Sequence, residues 1–424
     1  MSNTTVTEVA IVGGGVAGSS LGAALAHAGL AVTIIERESV FRDRVRGEAI
    51  MPWGVAEAER LGVLQAILDA EARPVSYLHI HAGRTLARSI DLTTATAGNH
   101  PGLDIYHPDL QDALLEHACR TGVTVLRPAK AARYRASASP EIDVETEDGE
   151  VTIRARLVVG ADGRTSVARR WAGVETMRDP AWYQIGGGLV EGAGLATDGF
   201  HTSVVDDWMM LYFPHAGERG RLYIACHDEL ARLLRGVGNR DHFVPTIARS
   251  VGDGVMDDWT LTGPVAFFPN ADIWASRAAG NGVALIGDAA GANDPIIGQG
   301  LSLALRDARE LRDALLSGDW PSAIEGYADR RDRYYQVLRT YAAWQAQLAV
   351  GRGPEADAIR EQVAAARKVD PSAGGLLGIA HRGPDGITLG EAERRTYFGV
   401  DIGVATATSH AGRLASSTAS SSRS

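Results

Sequence analysis

Lysine is almost missing from this chain of 424 residues: Lys130 and Lys368 are the only two, and the rest of its 42 basic residues are arginine. That is chiefly a compositional bias. Cysteine is as scarce, and Cys119 and Cys226 are too few for a disulfide framework, so a reducing cytoplasm is the expected setting. Long apolar runs are absent too. The uncharged stretch from Val9 to Ala26 contains five glycines and follows an acid rather than a basic region, which argues against both a signal peptide and a membrane span. Positive charge is outweighed, with a net charge of -10, and no basic stripe is available to neutralise phosphates. Neither nucleic acid nor a membrane is therefore an expected partner. No metal-ligand spacing and no internal repeat stand out.

What is present is ordinary for a globular protein, 45% hydrophobic and 22% charged, at a length that suits two or three intertwined domains. The pattern predicts an α/β protein in which segments of a Rossmann-like nucleotide domain (1–75, 106–180, 271–340) alternate with an inserted antiparallel sheet (76–105, 181–270). C-terminal helices (341–404) and a disordered tail (405–424) rich in Ala, Ser and Thr follow. Helical spacing is expected through Glu57 and Leu64, over Pro108 to Arg120, and from Leu301 to about Ala366. Strands are expected at Gln184 to Val190, Met209 to Phe213, Leu222 to Cys226 and Leu261 to Phe268, with a hairpin turning at Asp148-Gly149.

The most informative segment reads Val9-Ala-Ile-Val12, Gly13-Gly14-Gly15-Val16-Ala17-Gly18, an alanine-rich helix pattern, then Val32-Thr-Ile-Ile35 closed by Glu36 and Arg37. Gly13 permits the tight turn, Gly15 lets backbone approach a pyrophosphate, and Gly18 lets the helix lie against the first strand. The helix start at Val16 and Ala17 offers unpaired N–H groups and a positive dipole end. Glu36 is placed to accept hydrogen bonds from a ribose diol. Glycine clusters also mark ordinary turns, but here strand, turn, helix and acid agree.

Two further motifs follow in order, each after a buried strand. One is Gly160-Ala161-Asp162-Gly163-Arg164-Thr165-Ser166 with Arg169. The other is Gly287-Asp288-Ala289-Ala290, Asp294-Pro295, Gly298-Gln299-Gly300-Leu301-Ser302 and Asp307-Ala308. Together, over residues 6 to 310, they resemble the FAD-dependent aromatic hydroxylases, single-component flavoprotein monooxygenases typified by p-hydroxybenzoate hydroxylase. The resemblance implies a glutathione-reductase-type FAD domain. It implies that Asp288 bonds the ribityl chain, that Pro295 lies beside the isoalloxazine, and that the amides of Gly300, Leu301 and Ser302 face the flavin pyrimidine edge. Arg46-Gly47 and His107 would contact the cofactor, and Asp162 and Arg169 match a motif tied to FAD and NAD(P)H. The chain departs from the family pattern at Gly291, where histidine is usual, at Ser302, where asparagine is common, and at His107, where Arg or Gln is more usual.

By the same resemblance, NADPH or NADH would reduce FAD, O2 would add at flavin C4a, and the hydroperoxide would oxygenate a hydrophobic, aromatic or polycyclic metabolite. Reduction is either internal or delegated to a separate flavin reductase. Trp208, Met210 and Tyr212, within the run from Trp208 to Pro214, are candidates to line the substrate pocket, as are Phe268 and Pro269, although a sheet interior also wants such residues. His81, His215 and His227 are candidate acid-base groups or structural histidines. Rivals on the same fold are a prenyl-chain reductase, since Leu211-Tyr212-Phe213-Pro214 approaches its Tyr-x-Trp-x-Phe-Pro signature, a halogenase, and a non-catalytic binding module. The halogenase pattern has a catalytic lysine between the first two motifs and a Trp-x-Trp pair; neither lysine is expected to fill that place, and no two of the eight tryptophans are so spaced.

Overall fold

The computed structural model describes residues 3–236, 240–251, 259–263, 265–370, 373–375 and 377–400. The tail expected over 405–424 lies outside the described residues. The chain divides into two compact units, Met1–Gly351 with Leu377–Thr388, and Arg352–Leu376 with Leu389–Ser424.

A six-stranded sheet organises the first unit, in the order Ala279–Gly280, Val283–Leu285, Leu157–Gly160, Val9–Val12, Val32–Ile35, Thr124–Leu126. All neighbours pair parallel except the first two. Val9–Val12, Val32–Ile35 and Leu157–Gly160 are buried at every position, as parallel strands covered on both faces must be. Helix Val16–His27 packs against His107–Arg120 and Gly300–Leu316, so Ile11, Leu21, Ile34, Leu114, Val158 and Leu311 share one core. Each such side chain contributes roughly 1.5–3 kcal/mol by leaving water.

A second, eight-stranded sheet runs Thr260–Leu261, Gln184–Glu191, Arg219–Cys226, Trp208–Pro214, Gly199–Val205, Tyr77–Ala82, Thr85–Asp91, with Ala266–Pro269 also pairing with Gln184–Glu191. All pairs are antiparallel except Gly199–Val205 with Tyr77–Ala82. The strands from Trp208 and Arg219 register Leu211 opposite Tyr223 and Tyr212 opposite Leu222. The hairpin at Asp148-Gly149 joins Glu141–Thr146 to Gly149–Arg154, with Gly149 at φ +119.

Some elements are shorter than their periodicity suggests. The helix through Glu57 stops at Leu61 and resumes at Leu64–Asp69, because Gly62 adopts φ +76 and terminates the first segment. The apolar run from Leu261 to Phe268 is two strands, Thr260–Leu261 and Ala266–Pro269. The helical stretch after Leu301 is three helices, Gly300–Leu316, Trp320–Val350 and Pro354–Arg367. The breaks fall at Gly318 (φ +153) and Gly353 (φ +87), and the Asp319 carboxylate caps the second helix by accepting from Ser322 N at 3.2 Å. In the second unit, Pro354–Arg367 is tied to the end of Glu391–Tyr397 by Gln362 Nε2 donating to Phe398 O at 2.8 Å.

Candidate active site

The parallel strands end along a cavity of about 620 Å³, where ligands bind in folds of this type. Val12 and Gly13, Ile35 and Glu36, Ala161 and Asp162, and Ile286 to Asp288 all come from these strand ends and line it. Gly13 sits at φ +108, and a Cβ there would fall 2.3 Å from the carbonyl oxygen of Ala161, so no other residue fits the turn. Gly15 faces open space, its nearest neighbour being Gln111 Nε2 at 3.5 Å. Val16 and Ala17 begin a helix whose N-terminus has no side-chain cap, which leaves its first amides free for an anion. Gly18 does not line the cavity; its Cβ position lies 2.0 Å from Gly13 O, so its smallness holds the helix against the turn.

Glu36 is 6% exposed. Its carboxylate accepts from Gly14 N and from Glu38 N, each at 2.7 Å, which fixes the acid at the cavity edge. Arg37 joins it on the lining, as do Arg46 and Gly47. His107 is half-buried, and its Nδ1 donates to Gly47 O at 2.8 Å. Burial holds its pKa below the ordinary value, outweighing the Gly47 carbonyl that pulls it up. Asp162 Oδ2 accepts from Val167 N at 2.6 Å and Ala168 N at 3.2 Å, whereas its buried Oδ1 has no protein partner.

In the third motif, Gly287, Asp288, Pro295, Gly298, Gly300 and Leu301 reach the cavity. Gly298 sits at φ +62, and helix Gly300–Leu316 likewise begins without a side-chain cap. Ser302 and Arg169 do not line the cavity. Ser302 Oγ accepts from Met51 N at 2.9 Å, anchoring the start of helix Pro52–Leu61 instead. Arg169 donates from Nε to Ala289 O and from Nη2 to Asp288 O, both at 2.9 Å, so it holds the turn beneath Asp288.

The substrate assignments need correction. Phe268 lines the cavity, but Pro269, next along the strand, faces out and is exposed. Trp208, Met210 and Tyr212 lie on the far face of the eight-stranded sheet, in a core with Leu222, Ile224, Phe243 and Trp259. Side chains alternate along a strand, so Leu211 and Phe213 face the cavity, joined by Tyr223 and Ile185. Both faces of this strand are apolar, which erased the alternation from which the facing set could have been read. The register Leu211–Tyr223 and Ile185–Phe268 assembles that wall from separate strands. Tyr223 supplies its phenol, whose OH donates to Arg46 O.

None of the three candidate histidines lines the cavity. His227 Nε2 donates to Val350 O at 2.6 Å, and His81 Nε2 lies 3.0 Å from His201 Nδ1. His215 is buried behind the wall, 2.9 Å from Glu48 and 3.2 Å from Asp104, in a cluster with Arg221. Burial alone would push Glu48 up, but His215 and Arg221 hold it below the usual carboxylate range, while burial and the neighbouring Glu48 carry Asp104 well above it. Lys130 lies between the first two motifs and at the cavity, but its ammonium is largely exposed and pairs with Glu145 at 3.1 Å. The case against a halogenase therefore rests on the tryptophan spacing. Among the described residues no cluster could hold a metal ion, and no helix is long and apolar enough to cross a membrane.

Glycine turns at parallel strand ends, two uncapped helix starts, an unpaired Asp162 oxygen and a facing apolar sheet define a dinucleotide-flavin enzyme of the hydroxylase fold. The chain belongs to the FAD binding domain family, which it matches over residues 6–336. It is similar to the 6-methylpretetramide 4-monooxygenase of Streptomyces rimosus, 28% identical over 74% of this chain and 76% of that one. It also resembles the menaquinone reductase of Mycobacterium tuberculosis, 25% identical over 81% and 85%. Among solved structures, p-nitrophenol 4-monooxygenase from Pseudomonas putida superposes with a TM-score of 0.74 at 20% identity, over 85% of this chain and 92% of that one. The chain is an FAD-dependent oxidoreductase of the flavoprotein monooxygenase group.

Proposed function

We propose that this enzyme transfers one oxygen atom from O2 to a hydrophobic aromatic molecule lying between the flavin and the antiparallel sheet, with NADPH or NADH as reductant. The observation that carries this reading is the wall of Ile185, Leu211, Phe213, Tyr223 and Phe268 that shares one cavity with the three cofactor motifs. A relative that is a monooxygenase by name supports it.

Bound FAD supplies the electron transfer and the activation of oxygen. The chain's part is placement and exclusion. Glu36 accepts from the adenosine ribose, and the amides of Val16 and Ala17 take the pyrophosphate with the dipole of their helix behind them. Asp288, whose carboxylate has no hydrogen-bond partner among the described residues, accepts from the ribityl hydroxyls. Pro295 and the amides of Gly300 and Leu301, which line the same cavity, would hold the flavin ring, the amides favouring negative charge there. His107, kept neutral and with Nδ1 committed to Gly47, offers Nε2 as an acceptor. The apolar wall keeps water from the reacting face.

The test is anaerobic stopped-flow reduction of the yellow protein by each nucleotide, then mixing with labelled O2 and an aromatic panel. Incorporation of one labelled atom into a ring supports the reading; oxidation of the flavin with release of peroxide alone, across the panel, sinks it. Reduction only when a flavin reductase is added assigns that partner. A second reading, saturation of a prenyl chain, is favoured by the menaquinone reductase relative. In the signature's register Leu211 stands where tryptophan belongs while Phe213 keeps its place, both on the cavity side. That reading predicts a reduced chain and no label.

A further inference from the structure

Helix Trp320–Val350 buries a guanidinium that the proposed chemistry does not use. Arg331 is 0% exposed. Its Nη1 donates to Ala290 O and its Nη2 to Gly291 O, both at 3.3 Å, and its Nε lies 3.5 Å from Asp307 Oδ2. The Tyr335 ring stacks on it at 4.2 Å. From the other side, Arg169 takes the carbonyls of Asp288 and Ala289. The short helix Asp288–Gly291 thus has each of its four carbonyls held by one of two buried arginines. Such carbonyls at a helix end have no partner within the helix, and cations there are favoured by its dipole.

Asp307 completes the clamp. Its Oδ2, beside Arg331, accepts from Gly287 N at 2.8 Å, and its Oδ1 accepts from Tyr334 OH at 2.5 Å. The backbone on both sides of Asp288 is therefore tied to helix Trp320–Val350, directly after it and through Asp307 before it, while Asp288 itself lines the cavity. Room for this comes from Gly291, where the family usually has histidine. A Cβ there would meet Arg331 Nη2 and Tyr335 Cζ at 2.9 Å each, and Trp274 Cβ at 3.0 Å.

We infer that Arg331 is a positioning residue for FAD, acting through the Asp288 turn, and that glycine at 291 is the condition for its approach. The inference rests on the reading that Asp288 binds the ribityl chain. Arg331 touches carbonyls rather than cofactor. A lysine in its place offers a single ammonium nitrogen on a flexible stem and cannot set a separate nitrogen on each carbonyl as the planar fork does.

The experiment measures FAD dissociation constants, the potential of the bound flavin and apoprotein melting for Arg331→Lys, Gly291→Ala and Asp288→Asn, and for the doubles of each of the first two with Asp288→Asn. Loss of a charge-assisted hydrogen bond predicts weakening on the order of 10- to 100-fold for each single variant. It also predicts a shifted flavin potential and doubles no weaker than Asp288→Asn alone, because both substitutions act through one carboxylate. Gly291→Ala keeps Arg331 itself, so the inference stays testable if Arg331→Lys folds poorly. Unchanged affinity in folded Arg331→Lys and Gly291→Ala, or losses that simply add to that of Asp288→Asn, overturns it and leaves Arg331 a packing residue. If Asp288→Asn binds FAD like wild type, the Asp288 reading itself fails, which the single variant reveals on its own.

Discussion

Two glycines four residues apart in helix Val16–His27 separate helix propensity from site geometry. Alanine is favoured over glycine in a helix interior by about 1 kcal/mol, so propensity alone makes Gly18→Ala and Gly22→Ala both stabilising. The surroundings split them. At Gly22 the new methyl meets the terminal Cδ1 of Ile34 at 2.9 Å and nothing else closer than 3.5 Å, and a terminal methyl can rotate away. At Gly18 it meets Gly13 O at 2.0 Å. That carbonyl cannot move, because Gly13 is committed to φ +108 and its N donates to Ile35 O at 2.9 Å. Helix and turn must part by about 1 Å or more, and such overpacking typically costs ~1–3 kcal/mol, enough to cancel or exceed the propensity gain. If the amides of Val16 and Ala17 take the pyrophosphate as proposed, the same shift draws them off it. Losing one charge-assisted bond, at about 1.5–3 kcal/mol, weakens FAD binding roughly 10- to 100-fold. Fluorescence titration of the apoproteins with FAD, alongside thermal melts, reads both quantities. Gly22→Ala is expected to bind like wild type and melt no lower. If Gly18→Ala binds FAD within threefold of wild type, or if Gly22→Ala is equally damaged, the assignment of the first turn to the pyrophosphate is wrong.

Phe213→Ala should raise KM for an aromatic substrate by roughly tenfold, since an aromatic contact is worth about 1.5 kcal/mol or more. Met210→Ala, one face away, should cost about 2–5 kcal/mol of stability with KM unchanged in the folded enzyme; steady-state kinetics and urea unfolding distinguish them, and a reversed pattern refutes the facing assignment. Glu48→Gln unbalances the buried pairing with His215 and Arg221 and should destabilise by about 3–5 kcal/mol, checked by urea unfolding; a loss below 1 kcal/mol counts against a charged cluster. Burial and the nearby Asp294 push Asp272 up to about 7. Its folded pKa thus lies above the unfolded one, so the wild type loses stability as pH rises from the unfolded pKa toward 7, at up to about 1.4 kcal/mol per pH unit. Asp272→Asn, which keeps an oxygen to accept from Asp294 N, should show a stabilising gain that grows between pH 4 and 7 and then levels off. A gain equal at pH 4.5 and pH 8 contradicts the titration.

The three motifs that meet at the cavity were legible in the chain because each demand is local. A tight turn at a strand end needs glycine at one position, an anion site needs an open helix start, and a hydrogen-bond acceptor at the strand end needs a carboxylate a few residues away. These constraints act within a single strand-turn-helix-strand stretch of the chain, so they are written as spacing. The parallel sheet was legible for a similar reason, as Val9–Val12, Val32–Ile35 and Leu157–Gly160 are runs of almost wholly apolar residues, with Thr33 the one polar side chain, and are buried at every position.

The substrate wall obeys no local rule. In Trp208–Pro214 one face packs against a core that includes Phe243 and Trp259 while the other faces the cavity, so apolar residues occupy both and period two carries no sign. Only the cross-strand register, which sets Leu211 beside Tyr223 and Ile185 beside Phe268, chose the set that meets a ligand. The roles of Arg169, Ser302 and Arg331 were decided the same way. Each sits in or beside a motif or on a long helix, yet its partners lie dozens to hundreds of residues away, at Asp288 and Ala289, at Met51, and at Ala290 and Gly291. Spacing records what neighbours in the chain require of each other; a hydrogen bond between distant segments exists only once packing has brought them together.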